Sequence, residues 1–518
     1  MLLASGFALF LVSCSDDVLD DENLNNYSDV NYFREAPQFN EAVIAQYSNL
    51  TGLGMYSRDY YFILDLMSND ASPAPPLLGN EGALARYTHG PSNELINNLW
   101  TGLYRFSLRS NYALDQLERW EPETDADETL KQQYTGESLF FRAFAYDQLT
   151  SLWGDVPLRL SSELHFEYDV PRTASAEVYQ AAENDLEMAI GLLPDSYTGE
   201  DAGRITRFAA HALLGRVNLH QNDYEGVIAA LEPLAPGEAH PYELNPNFDN
   251  QFSPTNDETV ETIFDINHLW TGWGNGNAFY MFGGMETWGG RTTHTGRSQE
   301  YGFNDWANVT VNTAVAQMFT YEGEGGEDYV DPRAALTFYG PNGGDMDFCA
   351  GNGSTTSGEP CAETQAYTLQ RNNWRKYSNY EYTASTGIPN SNINTQVIRY
   401  ADVLLMLAEA YIETGQISEG MELINVVRDR VGAFSYSTSQ SEADAREIVR
   451  RERTLELAGE QTRWFDLKRW GNMAATLNAE ENIDDTGAAP FQDFMELFPI
   501  PQREVDANGE VSVANGWN

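Results

Sequence analysis

Two segments of the chain repeat one another, and this repeat constrains the architecture more than any other feature. Leu213–Leu231 and Met406–Ile424 align without a gap, with Asn222 of the first segment opposite Gly415 of the second. In each segment, apolar residues recur at three- and four-residue spacing on both sides of a short Gly/Asn/Asp turn, which predicts a helical hairpin. A single hairpin cannot bury its apolar faces alone, so both copies must pack against further helices.

Other helical segments are available for that packing. The periodicity predicts helices over Asn93–Trp120, Gln132–Leu152 and Ala174–Leu193. Ser138–Leu149, "SLFFRAFAYDQL", is apolar on nearly every face and is expected to be a central, buried helix. The repeated hairpins resemble the tetratricopeptide pattern of stacked helical pairs, so the sequence predicts an all-α fold.

The region 245–395 differs in composition from both flanks. Glycine, asparagine and aromatic residues accumulate there, and helical periodicity nearly vanishes apart from Val309–Tyr321. A long aperiodic stretch within a compact domain is typical of a binding surface. We therefore expect one domain over residues 31–518. Its helical scaffold comprises 31–244 and 396–518, and 245–395 is a loop-rich, ligand-binding insertion with few short strands.

His268–Gly290 is the most distinctive part of this insertion. Six of its 23 residues are aromatic and seven are glycine, with neither a helical period nor clean alternation. Large flat side chains on a loop of a rigid scaffold predict a binding surface. The alternative is that these rings cover a core beneath a long loop.

The N-terminal segment predicts export. Leu2–Val12 is an apolar run too short to span a bilayer as a helix, and the residues up to Cys14 resemble a bacterial lipobox, although no Lys or Arg precedes them. We expect 1–13 to be a lipoprotein signal peptide, Cys14 to be lipidated and 14–30 to be an acidic tether. An ordinary secretory signal, or a buried strand with a free cysteine, is the alternative.

The other two cysteines bound a Gly/Ser-rich stretch. In an exported protein, Cys349 and Cys361 predict a disulfide. Their spacing does not match a zinc site, and no histidine accompanies them.

Charge and motifs exclude several classes of function. Lys+Arg number 30 against 78 Asp+Glu, a net charge of −48 that argues against a nucleic-acid partner. There is no P-loop, nucleophile elbow or metalloprotease motif, and Gly272-x-Gly274-x-Gly276 lacks the strand and helix of a dinucleotide site. We predict no catalysis, no cofactor and no metal. A glycoside hydrolase or lyase stays as the alternative, because a carboxylate pair has little diagnostic value in so acidic a chain.

The run Arg450–Gly471 is the most basic stretch of the protein. Leucine and aromatic residues interleave with its charges. We expect its arginines to pair with acidic residues around buried aromatics, rather than to bind a ligand.

Four motifs, in order along the chain, resemble the SusD/RagB family of glycan-binding outer-membrane lipoproteins of Bacteroidetes. They are "FFRAFAYDQLTSLWGDVPL" (140–158), "RYADVLLMLAEAY" (399–411), "ERTLELAGEQTRWFDLKRWG" (452–471) and "LFPIPQREVDANG" (497–509). The resemblance implies a SusD-like fold, in which tetratricopeptide-like hairpins support irregular loops that form a surface glycan site. It also implies capture of oligo- or polysaccharide at the cell surface and delivery to a SusC-like TonB-dependent transporter, without cleavage. Peptide capture is the alternative within the same architecture.

In that setting the aromatic- and glycine-rich stretch that begins at His268, which we call the aromatic loop, predicts the glycan site, because a fixed aromatic ring can stack on the apolar face of a sugar. The candidate residues are Trp270, Trp273 and Trp288 as platforms, Tyr280 and Trp306 next, Asn275, Asn277, Arg291, His294 and Arg297 for hydroxyls, and Asn80 and Arg86 from the loop 70–90. Net negative charge favours a neutral glucan or mannan, whereas Arg291, His294 and Arg297 favour uronic acids such as those of alginate. The identity of the glycan stays open.

Overall fold

The computed structural model describes residues 32–74, 77–255, 259–268, 295–302, 307–323, 325–349, 361–367, 369–382, 391–513 and 516–517. Its helices are α1 (Ala36–Leu50), α2 (Asp59–Met67), α3 (Gly79–Ala85), α4 (Glu94–Arg119), α5 (Asp125–Trp153), α6 (Ser175–Leu192), α7 (Arg207–His220), α8 (Tyr224–Leu231), α9 (Arg297–Tyr301), α10 (Thr313–Gln317), α11 (Ala334–Thr337), α12 (Tyr400–Glu413), α13 (Ile417–Arg430), α14 (Glu442–Leu457), α15 (Arg463–Arg469), α16 (Met473–Leu477), α17 (Glu480–Thr486) and α18 (Gln502–Ala507). None of the described helices is both long and apolar enough to cross a bilayer.

The two longest helices, α4 and α5, begin where side chains can cap them. The Asn93 side chain accepts hydrogen bonds from the backbone N–H groups of Leu95 and Ile96 at the start of α4. Thr124 caps α5 in the same way, and Gly154, with φ 74°, ends that helix. Every residue of Ser138–Leu149 except Arg142 is buried, which confirms the predicted central helix.

Both predicted hairpins are present, as α7 with α8 and as α12 with α13. The aligned turn positions Asn222 and Gly415 both have a left-handed backbone, with φ 57° and 83°. Glycine and asparagine are the residues that adopt this conformation most readily, which explains why the two turns align. The helical hairpins and the helices around them confirm the predicted all-α, tetratricopeptide-like scaffold.

The strands are short and form antiparallel pairs. They are β1 (Ala71–Pro73) with β5 (Val309–Val311), β2 (Val156–Pro157) with β3 (Arg172–Thr173), β4 (Thr262–Ile266) with β12 (Thr395–Arg399), β6 (Thr320–Glu322) with β7 (Asp328–Val330), β8 (Phe338–Tyr339) with β11 (Asn373–Trp374), and β9 (Met346–Cys349) with β10 (Thr364–Tyr367). Most of them lie between the two hairpins, as predicted for the insertion.

The predicted helical periodicity over Val309–Tyr321 is wrong. The segment contains β5, the single-turn helix α10 and the start of β6. The Asn312 side chain caps α10, while its amide also donates to Ser72 and Asn482. Pairing of two β-branched valines with the distant β1 therefore overrides the local helical pattern.

The basic run has the structural role that we predicted. Arg453 contacts Asp402 and Asp466 at 3.1 and 2.9 Å. Arg469 contacts Asp466 at 2.7 Å, and its guanidinium also pairs with Glu409. These ion pairs surround buried aromatic rings of α15, so the run holds α12, α14 and α15 together.

Candidate functional site

The two ends of the aromatic loop are held at one place on the scaffold. At its start, the His268 N–H donates to Asn394 Oδ1 at 3.0 Å, and the His268 ring lies 2.9 Å from Thr395 Oγ1. At its end, the Ser391 N–H donates to the Thr295 carbonyl at 3.0 Å. Ser391 and Asn394 are three residues apart, which limits their separation to about 11 Å. His268 and Thr295, the described residues that flank 269–294, are therefore anchored near one another on the scaffold.

The returning end is tied to a second segment of the chain. The hydroxyl of Thr295 and the N–H of Gly296 both donate to the Ser57 carbonyl, at 3.2 and 3.4 Å. The next residue, Arg58, contacts Glu81 of α3 and Glu300 of α9, each at 2.9 Å. One guanidinium therefore joins the segment that follows the aromatic loop to the loop around α3.

The Arg58 bridge is largely shielded from water. The Glu300 side chain is fully buried, and that of Arg58 is 13% exposed. Burial alone would lower the pKa of Arg58, but the charge of Glu300 and its hydrogen bond raise that pKa overall. The arginine therefore stays charged, and its loss would leave a buried carboxylate without its cation.

A short sheet belongs to the same assembly. Antiparallel β1 and β5 pair Ala71 with Val311 and Pro73 with Val309, and the Ala74 N–H donates to the Asn308 carbonyl. We call the resulting assembly the loop platform: residues 57–58, 71–74, 77–90, 295–302, 307–311 and 391–396. It brings together the loop 70–90 and both ends of the aromatic loop, the segments from which the candidate residues come.

Asn80 and Arg86 both lie on the loop platform and are half-buried. The Asn80 carbonyl accepts a hydrogen bond from the Asn93 amide at 3.0 Å, so its side chain carries no part of that contact. Arg86 donates to the Leu77 carbonyl at 2.9 Å and caps the end of α3. Both residues keep part of their surface exposed.

Arg297 must be removed from the candidate set. It is 1% exposed, and its guanidinium lies 3.3 Å from Asp65 and 3.8 Å from the centre of the Tyr377 ring. Its charge satisfies a buried carboxylate, and its planar group stacks in the core. A surface glycan cannot contact this side chain, because α9 directs it into the core. The prediction was wrong because the sequence shows only that Arg297 follows other polar residues, not which way its side chain points.

The remaining predicted contacts lie outside the described residues, and their roles stay predictions. They are Trp270, Trp273, Asn275, Asn277, Tyr280, Trp288, Arg291, His294 and Trp306. The same holds for the lipidation of Cys14 and for residues 1–31 as a whole. Cys361 is disulfide-bonded, and Cys349 ends β9 opposite Thr364. The pairing of Cys349 with Cys361 also stays a prediction.

The structure contains a serine, histidine and aspartate cluster that the sequence did not reveal. His220 Nδ1 lies 2.8 Å from Asp147 Oδ1 and 3.1 Å from Ser151 Oγ. In a serine hydrolase the acid and the nucleophile use opposite nitrogens of the imidazole, so that the ring can relay a proton between them. Here both use the same nitrogen, and Ser151 also contacts the hydroxyl of Tyr179. The cluster therefore lacks the geometry of a catalytic triad.

Two buried carboxyl groups near the loop platform have raised pKa values. Burial, the largest cause, raises the pKa of Asp59 to about 6. Burial and the nearby charge of Asp65 raise the pKa of Asp70 to about 7. Both residues are 1% exposed, so neither is placed to exchange a proton with a surface ligand. Within the described part of the chain, no group of His, Cys, Asp and Glu side chains could hold a metal ion.

Comparison with known families identifies this architecture. The model of the SusD family matches residues 283–517, and a second model, described as starch-binding and associating with the outer membrane, matches residues 78–219. SusD-like protein P2 of Formosa agariphila is 25% identical, over 98% of this chain and 97% of its own length. The chain belongs to the SusD-like family. The family membership predicted from the four motifs is confirmed.

Solved SusD-like structures share this fold. A SusD superfamily protein of Bacteroides vulgatus superposes with a TM-score of 0.76 at 24% identity, covering 94% of this chain and all of its own. A laminarin-binding SusD-like protein superposes with a TM-score of 0.72 at 23% identity, covering 93% of this chain and all of its own. At these identities the comparison establishes the SusD-like fold of this chain.

Proposed function

We propose that this SusD-like protein captures oligo- or polysaccharides at the cell surface without cleaving them, and passes them to a SusC-like TonB-dependent transporter. The observation that carries the proposal is the loop platform, which gathers both flanks of an aromatic- and glycine-rich segment and the chain around α3 into one assembly. An arc of aromatic rings on such a support suits sugars, because each stacking contact is worth only about 1 kcal/mol and several must act together.

The family supports this reading. A solved relative of the same fold is described as laminarin-binding, and others from Bacteroides fluxus and Bacteroides uniformis are described as surface glycan-binding proteins. One of the two matching family models is described as starch-binding. The ligand that we propose is therefore a neutral glucan. Trp270, Trp273 and Trp288 stack on it, Tyr280 and Trp306 extend the arc, and Asn80, Arg86, Asn275, Asn277, Arg291 and His294 bind its hydroxyls.

The proposed location is the outer face of the outer membrane. The description of the second family model, associating with outer membrane, supports it. Residues 1–13 act as the signal peptide in this proposal, Cys14 carries the lipid anchor and residues 14–30 form the tether. Purification of the tagged protein from membranes tests the anchor and the partner together. We expect a transporter to co-purify with the parent, and we expect this co-purification to be lost in Cys14→Ala.

Isothermal titration calorimetry tests the binding function. The purified protein is titrated with oligosaccharides of laminarin, mannan and alginate, in parallel with Trp270→Ala and Trp288→Ala. We expect binding to the glucan, weakened at least tenfold in each variant because a stacking face is lost, and no shorter product in the cell afterwards.

Tyr168→Ala is the matched control, because this ring is 77% exposed but lies outside the loop platform. It should bind the glucan as the parent does. Equal weakening in this control would show that the tryptophan effects are not local. Release of shorter sugars would establish the hydrolase or lyase alternative, and binding of peptides in place of glycans would establish peptide capture.

A further inference from the structure

A cavity of about 240 Å³ opens on the helical scaffold and shares no lining residue with the loop platform. It lies between α5, α6 and α7 on one side and α15 and the 3₁₀ turn Asp493–Glu496 on the other. It is smaller than the pockets of about 300–1,000 Å³ that hold drug-sized ligands, so it suits a very small ligand.

Polar groups with unused hydrogen-bonding capacity line this cavity. The Lys468 ammonium donates one hydrogen bond, to the Ser151 carbonyl at 2.6 Å, and has two further N–H groups. Glu496 is half-buried and accepts no hydrogen bond from any described residue. His220 uses Nδ1 for Asp147 and Ser151, which leaves Nε2 for a ligand. The exposed Asn222 completes the polar rim.

Two stacked aromatic rings, which we call the aromatic wall, border the same space. The rings of His220 and Phe465 stack with their centres 4.8 Å apart and their planes inclined by 25°. Both residues line the cavity. A wall of this kind, flanked by donors and acceptors, is complementary to a ring that has apolar C–H faces and hydroxyl groups at its edge.

The charges lining the cavity cancel. Lys468 and Glu496 have opposite signs, and Arg469 is already paired with Glu409 and Asp466. A ligand with a net charge would gain no net attraction there. Hydroxyl groups, by contrast, can accept from the ammonium and donate to the carboxylate.

We propose that this cavity is a second sugar site that binds one neutral monosaccharide ring. The choice of a sugar over other small polar molecules rests on the proposed function of the protein. The site itself rests on the cavity, its unused donors and acceptors and its aromatic wall. The ring lies against the Phe465–His220 wall, and its hydroxyls bridge Lys468 and Glu496.

Saturation-transfer difference NMR with D-glucose, D-mannose and D-galactose tests the proposal on the purified protein. We expect transfer to the ring protons of at least one of these sugars, and a Kd at least tenfold weaker in Glu496→Gln and in Lys468→Met. Because burial lowers the pKa of Lys468 to about 8, the affinity should also fall between pH 7 and pH 9 in the parent but not in Lys468→Met.

Asp493→Asn removes an exposed carboxylate from the same 3₁₀ turn and should bind as the parent does. Retained binding in both Glu496→Gln and Lys468→Met, or no transfer to any of the three sugars, would overturn the proposal. Binding of glycine, a zwitterion, in place of the sugars would also overturn it. If the monosaccharides do not bind but the oligosaccharide does, the function proposed for the loop platform still stands. Trp270→Ala should weaken binding of the oligosaccharide but not of the monosaccharide.

Discussion

At the scale of single residues, Arg399 shows how buried charge organises this protein. Its guanidinium is 1% exposed and contacts Glu261 and Glu456 at 2.6 Å and Glu460 at 2.7 Å. Burial alone would raise the pKa of Glu456, but the charges of Arg430, Arg399 and Arg333 hold it well below its usual value. The neighbouring cations likewise lower the pKa of Glu460, so both Glu456 and Glu460 stay ionised although they are buried.

Replacing Arg399 with methionine should therefore lower the free energy of unfolding by about 3–5 kcal/mol, since it removes a cation that three buried carboxylates share. Urea denaturation followed by circular dichroism measures this change. Arg503→Met is the control. The Arg503 side chain is 74% exposed and its ion pair with Glu94 is long at 3.8 Å, so this substitution should have little effect on the free energy of unfolding. An equal effect in the two variants would contradict the structural role of the network.

Asp70 gives a prediction about pH. Its pKa of about 7 in the folded protein exceeds the usual value of about 3.9, so between these pH values the folded state binds more protons than the unfolded state. The free energy of unfolding should consequently fall as the pH rises from about 4 to about 7 through this group. Asp70→Asn removes that loss, so the variant should be more stable than the parent at pH 8.

The measurement compares the urea midpoints of parent and Asp70→Asn at pH 4.5 and pH 8. The advantage of the variant should be present at pH 8 and nearly absent at pH 4.5, where the parent carboxyl is already protonated. A difference of the same size at both pH values would mean that ionisation of Asp70 does not cause it.

At the scale of elements, the second hairpin depends on a close approach between its helices. A Cβ atom on Gly420 of α13 would lie 2.7 Å from the Ala408 carbonyl oxygen of α12 and 2.7 Å from the Ile412 side chain. Gly420→Ala should therefore destabilise the protein by about 1–3 kcal/mol, although alanine favours the helix more than glycine does.

Gly191 of α6 provides the matched control, because a Cβ atom there would meet nothing within 4 Å. Gly191→Ala should be neutral or stabilising by up to about 1 kcal/mol. The melting temperatures of the two variants test this pair. If Gly420→Ala were as stable as Gly191→Ala, the interhelical contact would not constrain the hairpin.

The same elements show what the sequence can predict. The ends of α4 and α6 lie within a residue or two of the predicted ends, because their periodicity is strong and Asn93 and Pro194 limit them locally. β5 was missed because its partner, β1, is far away in the chain. The prediction for Arg297 was wrong for a related reason. Its partners Asp65 and Tyr377 are far away in the chain, and only the fold shows that they contact its side chain in the core.

At the scale of the whole molecule, the helical scaffold positions the loop platform, which is assembled from distant parts of the chain. The motifs predicted the family and the fold, and the composition predicted which segment carries the aromatic loop. The sequence could not predict the Arg58 bridge between α3 and α9, because no local pattern relates Glu81 to Glu300. It also gave no sign of the cavity beside Lys468, which five separated elements enclose.

In the function that we propose, the aromatic loop on the loop platform captures the glycan. Because the anchors Ser391 and Asn394 lie within about 11 Å of each other, a Gly/Ser linker of about ten residues, with a mean span of about 17 Å, can join His268 to Thr295 in place of residues 269–294. The most direct measurement is a calorimetric titration of laminarin oligosaccharides into the parent and this variant. We expect binding to the parent and none to the variant, with both proteins melting at similar temperatures. Undiminished binding to the folded variant would show that the aromatic loop does not capture the glycan.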